Sequence, residues 1–264
     1  MLVAKASMVL NCKVFGEGFP IIILHGLLGS LDNWQTIGKH VSENGLQVFI
    51  VDQRNHGRSP HSDEFNYDLL SNDLFDFFEQ HQIKKAHLLG HSMGGKVAMK
   101  FALEHADRVE KLIVVDISPA AYEDKHNDVF KALFAADAGN ANSREAVETT
   151  LRQQLNNDET TVQFLLKGLT RADGAEKGFN WRFNLDSLSK NYSRISAAIT
   201  SAKPFPVKTL LIKGEKSNYI NSENYTSIDE LFPYNQLSEI KDAGHWVHVE
   251  KPNEFLAEVL QFLF

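Results

Sequence analysis

The pentapeptide Gly90-His91-Ser92-Met93-Gly94 constrains this chain more than any other segment, because of what flanks it. An apolar run at 86–89 precedes it and an amphipathic pattern from Val97 to Leu103 follows, so the serine falls on a strand-to-helix turn. A hydroxyl is a weak nucleophile in isolation. On a tight turn with small residues two positions either side, and with a helix N-terminus favouring negative charge, it becomes an exposed and activated one. Ser92 is therefore the expected nucleophile position.

The same alternation of short apolar runs with longer amphipathic stretches fills the first half of the chain, the pattern of a mainly parallel sheet flanked by helices. Strands are expected near 8–15, 21–24, 47–51, 86–89, 112–115, 207–212 and 237–240. Helical spacing shows in Leu69, Asp73, Phe77 and Phe78, and again in Phe255, Val259 and Leu260. Between Val115 and Val207 lie about ninety residues, too many for a structureless connection. Ser143 and Asp158 are plausible helix N-caps there, the first ahead of Val147, Leu151 and Leu155, the second ahead of Val162, Leu165, Leu166 and Leu169. Leu185, Leu188, Tyr192, Ile195 and Ile199 continue the pattern until Pro204 and Pro206. Residues 118–206 are thus expected to form a helical cap, with 1–117 and 207–264 making the α/β core.

Composition narrows the class. With 264 residues, 43% hydrophobic and 23% charged, the chain has the make-up of a globular protein, not of a disordered or low-complexity one. The single cysteine, Cys12, excludes an intramolecular disulfide, fits a reducing compartment, and reads as a small core residue. A net charge of −7 without any basic run argues against a nucleic-acid partner. The longest clean apolar run, 19–24, is far too short to span a membrane, and no signal-type leader precedes it. A cytoplasmic protein is expected.

Further motifs lie at strand ends. His25-Gly26-Leu27-Leu28-Gly29 follows the second run, and a polar segment at 52–59 follows the third, where it is expected to hold loops by hydrogen bonds. Asp242-Ala243-Gly244-His245-Trp246 follows the last predicted strand and precedes a helix at Pro252. Of eleven histidines, His245 is in the place expected of a general base. His248 lies three residues on, but no third ligand or H-E-x-x-H helix makes the two a metal site, and a structural hydrogen-bonding role is expected for it. His25, His56 and His91 are read as loop organisers. The acid is open: Asp116 closes the apolar run 112–115 beside the nucleophile strand, with Glu215 and Asp242 as reserves. The stretch after the next strand reads Gly214-Glu215-Lys216-Ser217, with a serine where a carboxylate is common.

In this order the motifs resemble the α/β-hydrolases over nearly the whole chain. Asp116 in Val115-Asp116-Ile117-Ser118-Pro119, Ser217, and Trp181-Arg182-Phe183-Asn184 bring it nearest the small cytoplasmic esterases of the YbfF type. The resemblance implies a serine hydrolase acting on carboxyl esters or acyl thioesters, without metal or organic cofactor. In it Ser92 attacks, His245 takes the proton, and Asp116 orients the imidazole. The amides of Leu27 and Met93 form the oxyanion hole. Ser217 is carried over as an accessory hydrogen-bonding residue. His25, Trp181, Arg182, Phe130 and Phe134 are expected to border the substrate, with Phe164 and Leu165 as further acyl-pocket candidates. The same fold also supports perhydrolysis, carbon–carbon bond hydrolysis, aminopeptidase activity and ligand-binding signalling proteins with little turnover.

Overall fold

The computed structural model describes residues 8–123, 126–172 and 178–264. Numbered in chain order, the core begins with β1 (Cys12–Phe15), β2 (Phe19–Leu24), α1 (Gln35–Ser42), β3 (Leu46–Val51), α2 (Tyr67–Gln80), β4 (Ala86–His91), α3 (Met93–Glu104) and β5 (Val109–Val115). An insertion follows: α4 (Asn127–Ala135), α5 (Arg144–Gln154), α6 (Glu159–Lys167), β6 (Leu169–Arg171), β7 (Phe179–Trp181), α7 (Leu185–Lys190) and α8 (Tyr192–Ile195). The core resumes with β8 (Thr209–Gly214), α9 (Tyr225–Leu231), β9 (Asn235–Ile240), α10 (Val247–Glu250) and α11 (Pro252–Leu263).

Seven strands make one sheet in the order β1-β3-β2-β4-β5-β8-β9, parallel except that β1 runs antiparallel to β3. Alternate residues feed two layers. Ile21 and Ile23 pack with Val48, Ile50 and the apolar faces of α1 and α11, whereas Ile22 and Leu24 pack with Phe49, Val51, α2 and α3. Because helices cover both faces, the central strands carry apolar runs at 21–24, 88–89, 112–115 and 210–212 in place of a polar–apolar alternation.

Three local departures have simple causes. The first strand starts at Cys12, not at 8, because Asn11 turns toward the 52–59 loop, its N–H donating to Ser59 Oγ (2.8 Å) and its carbonyl accepting from the Asp52 amide (2.9 Å). Cys12 is half-buried on that edge strand, beside the core and not within it. The β6–β7 ribbon was not expected: three residues per strand are too few to show a period.

Both N-caps within the insertion form as expected, Ser143 accepting from the Ala146 amide (3.1 Å) and Asp158 from the Thr161 amide (3.2 Å). Core and insertion are tied together by Tyr67 Oη donating to the Ile195 carbonyl (2.6 Å), by the Asn184 amide donating to Asn55 O (2.8 Å), and by an Arg182–Asp32 ion pair (2.6 Å). Residues 1–7 of the expected core range, and 124–125 and 173–177 of the expected cap range, lie outside the described residues.

Candidate active site

Ser92 stands between β4 and α3 with φ 52° and ψ −119°, a conformation that a residue with a side chain rarely adopts and that costs on the order of 1–3 kcal/mol. The surroundings hold it there. Its amide donates to the Val115 carbonyl (2.9 Å) and its carbonyl accepts from Lys96 N (3.1 Å). The flanking glycines are sterically required: a Cβ on Gly90 would lie 2.2 Å from Gly94 O, and one on Gly94 would lie 2.4 Å from Leu24 O. The turn therefore depends on small residues on both sides.

Asp116, at the C-terminal end of β5, is fully buried. Its Oδ1 accepts from the Gly214 amide (3.0 Å), and its Oδ2 accepts from His245 Nδ1 (2.7 Å) and from the Ser217 hydroxyl. Three donors compensate a desolvated carboxylate, and one of them sets the histidine tautomer: with Nδ1 donating, Nε2 is left as the free acceptor. Neither reserve acid joins this cluster. Glu215 accepts from the Asp242 amide (2.8 Å), and Asp242 pairs with Lys216 (3.2 Å) on the surface. The loop before α10 is further held by His91, whose Nε2–H donates to the His245 carbonyl (2.9 Å), and the Tyr219 ring lies 4.3 Å from the His245 ring.

Ser92 and His245 line one cavity of about 460 Å³ without a direct hydrogen bond between them. Such contacts tighten when substrate arrives. The Leu28 amide is occupied by His56 Nε2 (3.1 Å), whereas those of Leu27 and Met93 donate to nothing among the described residues. Met93 is the first residue of α3, where the helix dipole also favours an anion.

The loop organisers are explicit. His25 donates from Nδ1 to Gly26 O (2.8 Å) and accepts the Gln53 amide at Nε2 (3.1 Å), so its ring borders the cavity with both nitrogens engaged. Asp52 receives the Leu31 amide (2.7 Å), the Arg58 amide (3.0 Å) and Asn11 Nδ2 (2.7 Å). Burial holds His56 and His91 well below the usual histidine range, which keeps both neutral.

Four of the proposed substrate contacts lie elsewhere. Phe130 packs inside the insertion against Tyr192, Phe134 is surface-exposed, Trp181 stacks on Phe183, and Arg182 is committed to Asp32; none borders the cavity. Aromatic residues in an amphipathic helix serve the helix's own core first. Phe164 and Leu165 of α6 do line it. His248, expected to be held by hydrogen bonds, is instead clamped by ring stacking on Trp34. Trp34 and Tyr219 are site groups that the sequence did not flag, since neither sits in a motif, and Gly214, quoted there only as the start of the stretch to Ser217, supplies its amide to Asp116. No group of three or more His, Cys, Asp or Glu that could hold a metal ion occurs among the described residues, and no helix there is long and apolar enough to cross a membrane.

Comparison with known proteins adds the lineage. A family model described as alpha/beta hydrolase fold matches residues 20–252. A putative esterase/lipase of Haemophilus influenzae is 40% identical over 92% of this chain and 82% of its own. Esterase YbfF of Escherichia coli is 36% identical over 92% of each chain, and sn-1-specific diacylglycerol lipase ABHD11 of Danio rerio is 37% identical over 94% of this chain and 79% of its own. The solved structure of a marine microorganism esterase superposes with a TM-score of 0.93 at 39% identity, covering 97% of this chain and all of that one.

Proposed function

The chain belongs to the α/β-hydrolase fold family, among relatives of the YbfF type, and from that premise we propose that it is a carboxylic ester hydrolase using Ser92, His245 and Asp116. The observation that carries the reading is the Asp116–His245 hydrogen bond, which leaves His245 Nε2 free on the cavity that Ser92 also borders. The relatives' printed names, esterase and lipase, support the same class.

Ser92 Oγ attacks the acyl carbonyl while His245 Nε2 takes the hydroxyl proton; the carbonyl oxygen becomes an oxyanion facing the Leu27 and Met93 amides. Collapse expels the alcohol, which takes the proton from His245, and leaves Ser92 acylated. Water then repeats the sequence, giving the acid and restoring the serine. Asp116 holds the tautomer and stabilises the imidazolium, and Ser217 supports Asp116. A thioester follows the same course with a thiol as leaving group. Residues 118–206 act as a cap, bringing α6 with Phe164 and Leu165 against the cavity to shield the acyl-enzyme from bulk water.

A fluorophosphonate probe should label the protein once, on Ser92, and p-nitrophenyl esters should be turned over by the native chain and not by Ser92→Ala. Labelling that survives the substitution would refute the assignment. A panel of esters and acyl thioesters of graded length separates the leaving groups.

A further inference from the structure

The cavity beside Ser92 carries two donors that ester cleavage does not use. His248, on α10, is 4% exposed, with its ring stacked on Trp34 (centroids 3.9 Å apart, planes 11° apart) and set edge-on to His91 at 4.9 Å. Its Nδ1 is fully buried with no hydrogen-bond partner, yet the residue lines the cavity. Burial, with the charges of His245 and Lys167 nearby, pushes His248 down to about 3, so the ring is neutral and carries one N–H. A proton on Nδ1 would bury a donor without an acceptor, the rarer and costlier defect. The proton therefore sits on Nε2, the nitrogen that remains accessible to the cavity.

The second donor is Lys167, the last residue of α6, exposed and lining the same cavity. Its ammonium has no ion pair or hydrogen bond among the described residues. Of the carboxylates on this wall, Glu159 is paired with Arg152 and also accepts from Gln163, while Asp158, nine residues back at the other end of α6, accepts from the Thr161 amide and hydroxyl and keeps its charge. At its Lys167 end the wall offers a ligand one cation and the His248 N–H, with the Asp158 carboxylate at the opposite end of α6.

We propose that Lys167 Nζ and His248 Nε2–H form a subsite for an anionic oxygen group of the substrate, so that the preferred ester carries a carboxylate or a phosphate away from the scissile bond. This rests on the ester-hydrolase reading of Ser92. At about 460 Å³ the cavity has room for an acyl chain and such a group together.

The test compares mono-p-nitrophenyl esters of α,ω-dicarboxylic acids of several lengths with p-nitrophenyl alkanoates of matched length, and adds ω-phosphate esters as a second anionic arm. The native protein should favour one anionic series in kcat/KM, and the favoured arm identifies the group. In Lys167→Gln the anionic-to-neutral preference should fall about tenfold, the scale of one charge-assisted hydrogen bond at an exposed site, through KM and not through kcat. Lys167→Arg should restore part of it. His248→Phe, which keeps a ring on Trp34 and removes the donor, should lower the preference several-fold. Cleavage of neutral esters by Ser92 with no anionic preference, and a ratio indifferent to Lys167→Gln, would overturn the subsite and leave the hydrolase reading standing. If no ester is cleaved, binding of the free dicarboxylates and alkyl phosphates to Ser92→Ala, read by tryptophan fluorescence, still decides: weakening by Lys167→Gln supports the subsite, and indifference overturns it.

Discussion

At Asp116 three donors converge on one buried carboxylate, and they are not equivalent. The Gly214 amide and the Ser217 hydroxyl hold the carboxylate in place, whereas His245 Nδ1–H is the bond on which the proposed proton transfer depends. Asp116→Asn replaces an acceptor that all three donors need with a side chain that is itself half donor, so the imidazole is driven into the tautomer that presents N–H to Ser92. The corresponding change in serine proteases costs on the order of 10⁴ in kcat, and a loss of that size is expected here. Ser217→Ala leaves the carboxylate with two donors and the tautomer intact, so a loss of roughly tenfold is expected. Single-turnover kinetics of both variants check the ordering; an Asp116→Asn enzyme retaining more than about a tenth of native kcat would remove Asp116 from the role of acid.

At the scale of elements, α3 does more than present Ser92 at its N-terminus. One turn in, the fully buried Lys96 sends its ammonium to the carbonyls of Ala120 (2.7 Å) and Ala197 (2.6 Å), and lies 4.8 Å from the centre of the Tyr122 ring. Those two carbonyls belong to the segments by which the chain leaves β5 and returns from α8, so one side chain staples both crossings to α3. The segments also pair with each other, the Tyr122 amide with Ser196 O (3.1 Å) and the Ile199 amide with Pro119 O (2.8 Å). Lys96→Met fills similar volume but strips two carbonyls of half-buried residues of their charged donor, at about 1–3 kcal/mol each. A loss of roughly 2–6 kcal/mol in urea unfolding is expected, and an unchanged midpoint would refute the staple.

Over the whole molecule, buried histidines set the acid limit of stability. In the unfolded chain each imidazole binds a proton below about pH 6.5. Folded, His56 and His91 stay neutral well below that, and His248 down to about 3, all three chiefly through burial. The unfolded chain thus binds more protons across this window, so the stability these groups contribute is full above pH 6.5 and falls with acid, by up to about 1.4 kcal/mol per pH unit for each. Lys96, lowered by burial to about 7, acts on the alkaline side with the same sign: stability rises between about pH 7 and 10 as only the unfolded chain keeps that proton. Urea midpoints measured from pH 5 to 9 should climb throughout, and His248→Phe should flatten the acid limb; a midpoint independent of pH below 6.5 would contradict the account.

What the sequence determined by itself was whatever depends on neighbours along the chain. The apolar runs within β2, β4 and β5, the Gly90–Gly94 turn, and the N-caps Ser143 and Asp158 act within a few residues, and each reads as a local pattern. Ser92 and His245 were legible for the same reason, each following a strand at the same edge of a parallel sheet, whereas Asp116 was one of three candidate acids until the fold set it on His245. Tertiary structure decided everything that depends on which side chains meet. Phe130 and Phe134 have the composition of an acyl pocket, but their helix faces send one into the insertion's own core and the other to the surface. Trp181 and Arg182 were spent on Phe183 and Asp32. Asp116 received Ser217 from 101 residues away, and Lys96 reached a carbonyl 101 residues on. Hydrogen-bond partners at that separation leave no period or spacing in the chain, because only the packed sheet and its insertion bring them within 3 Å.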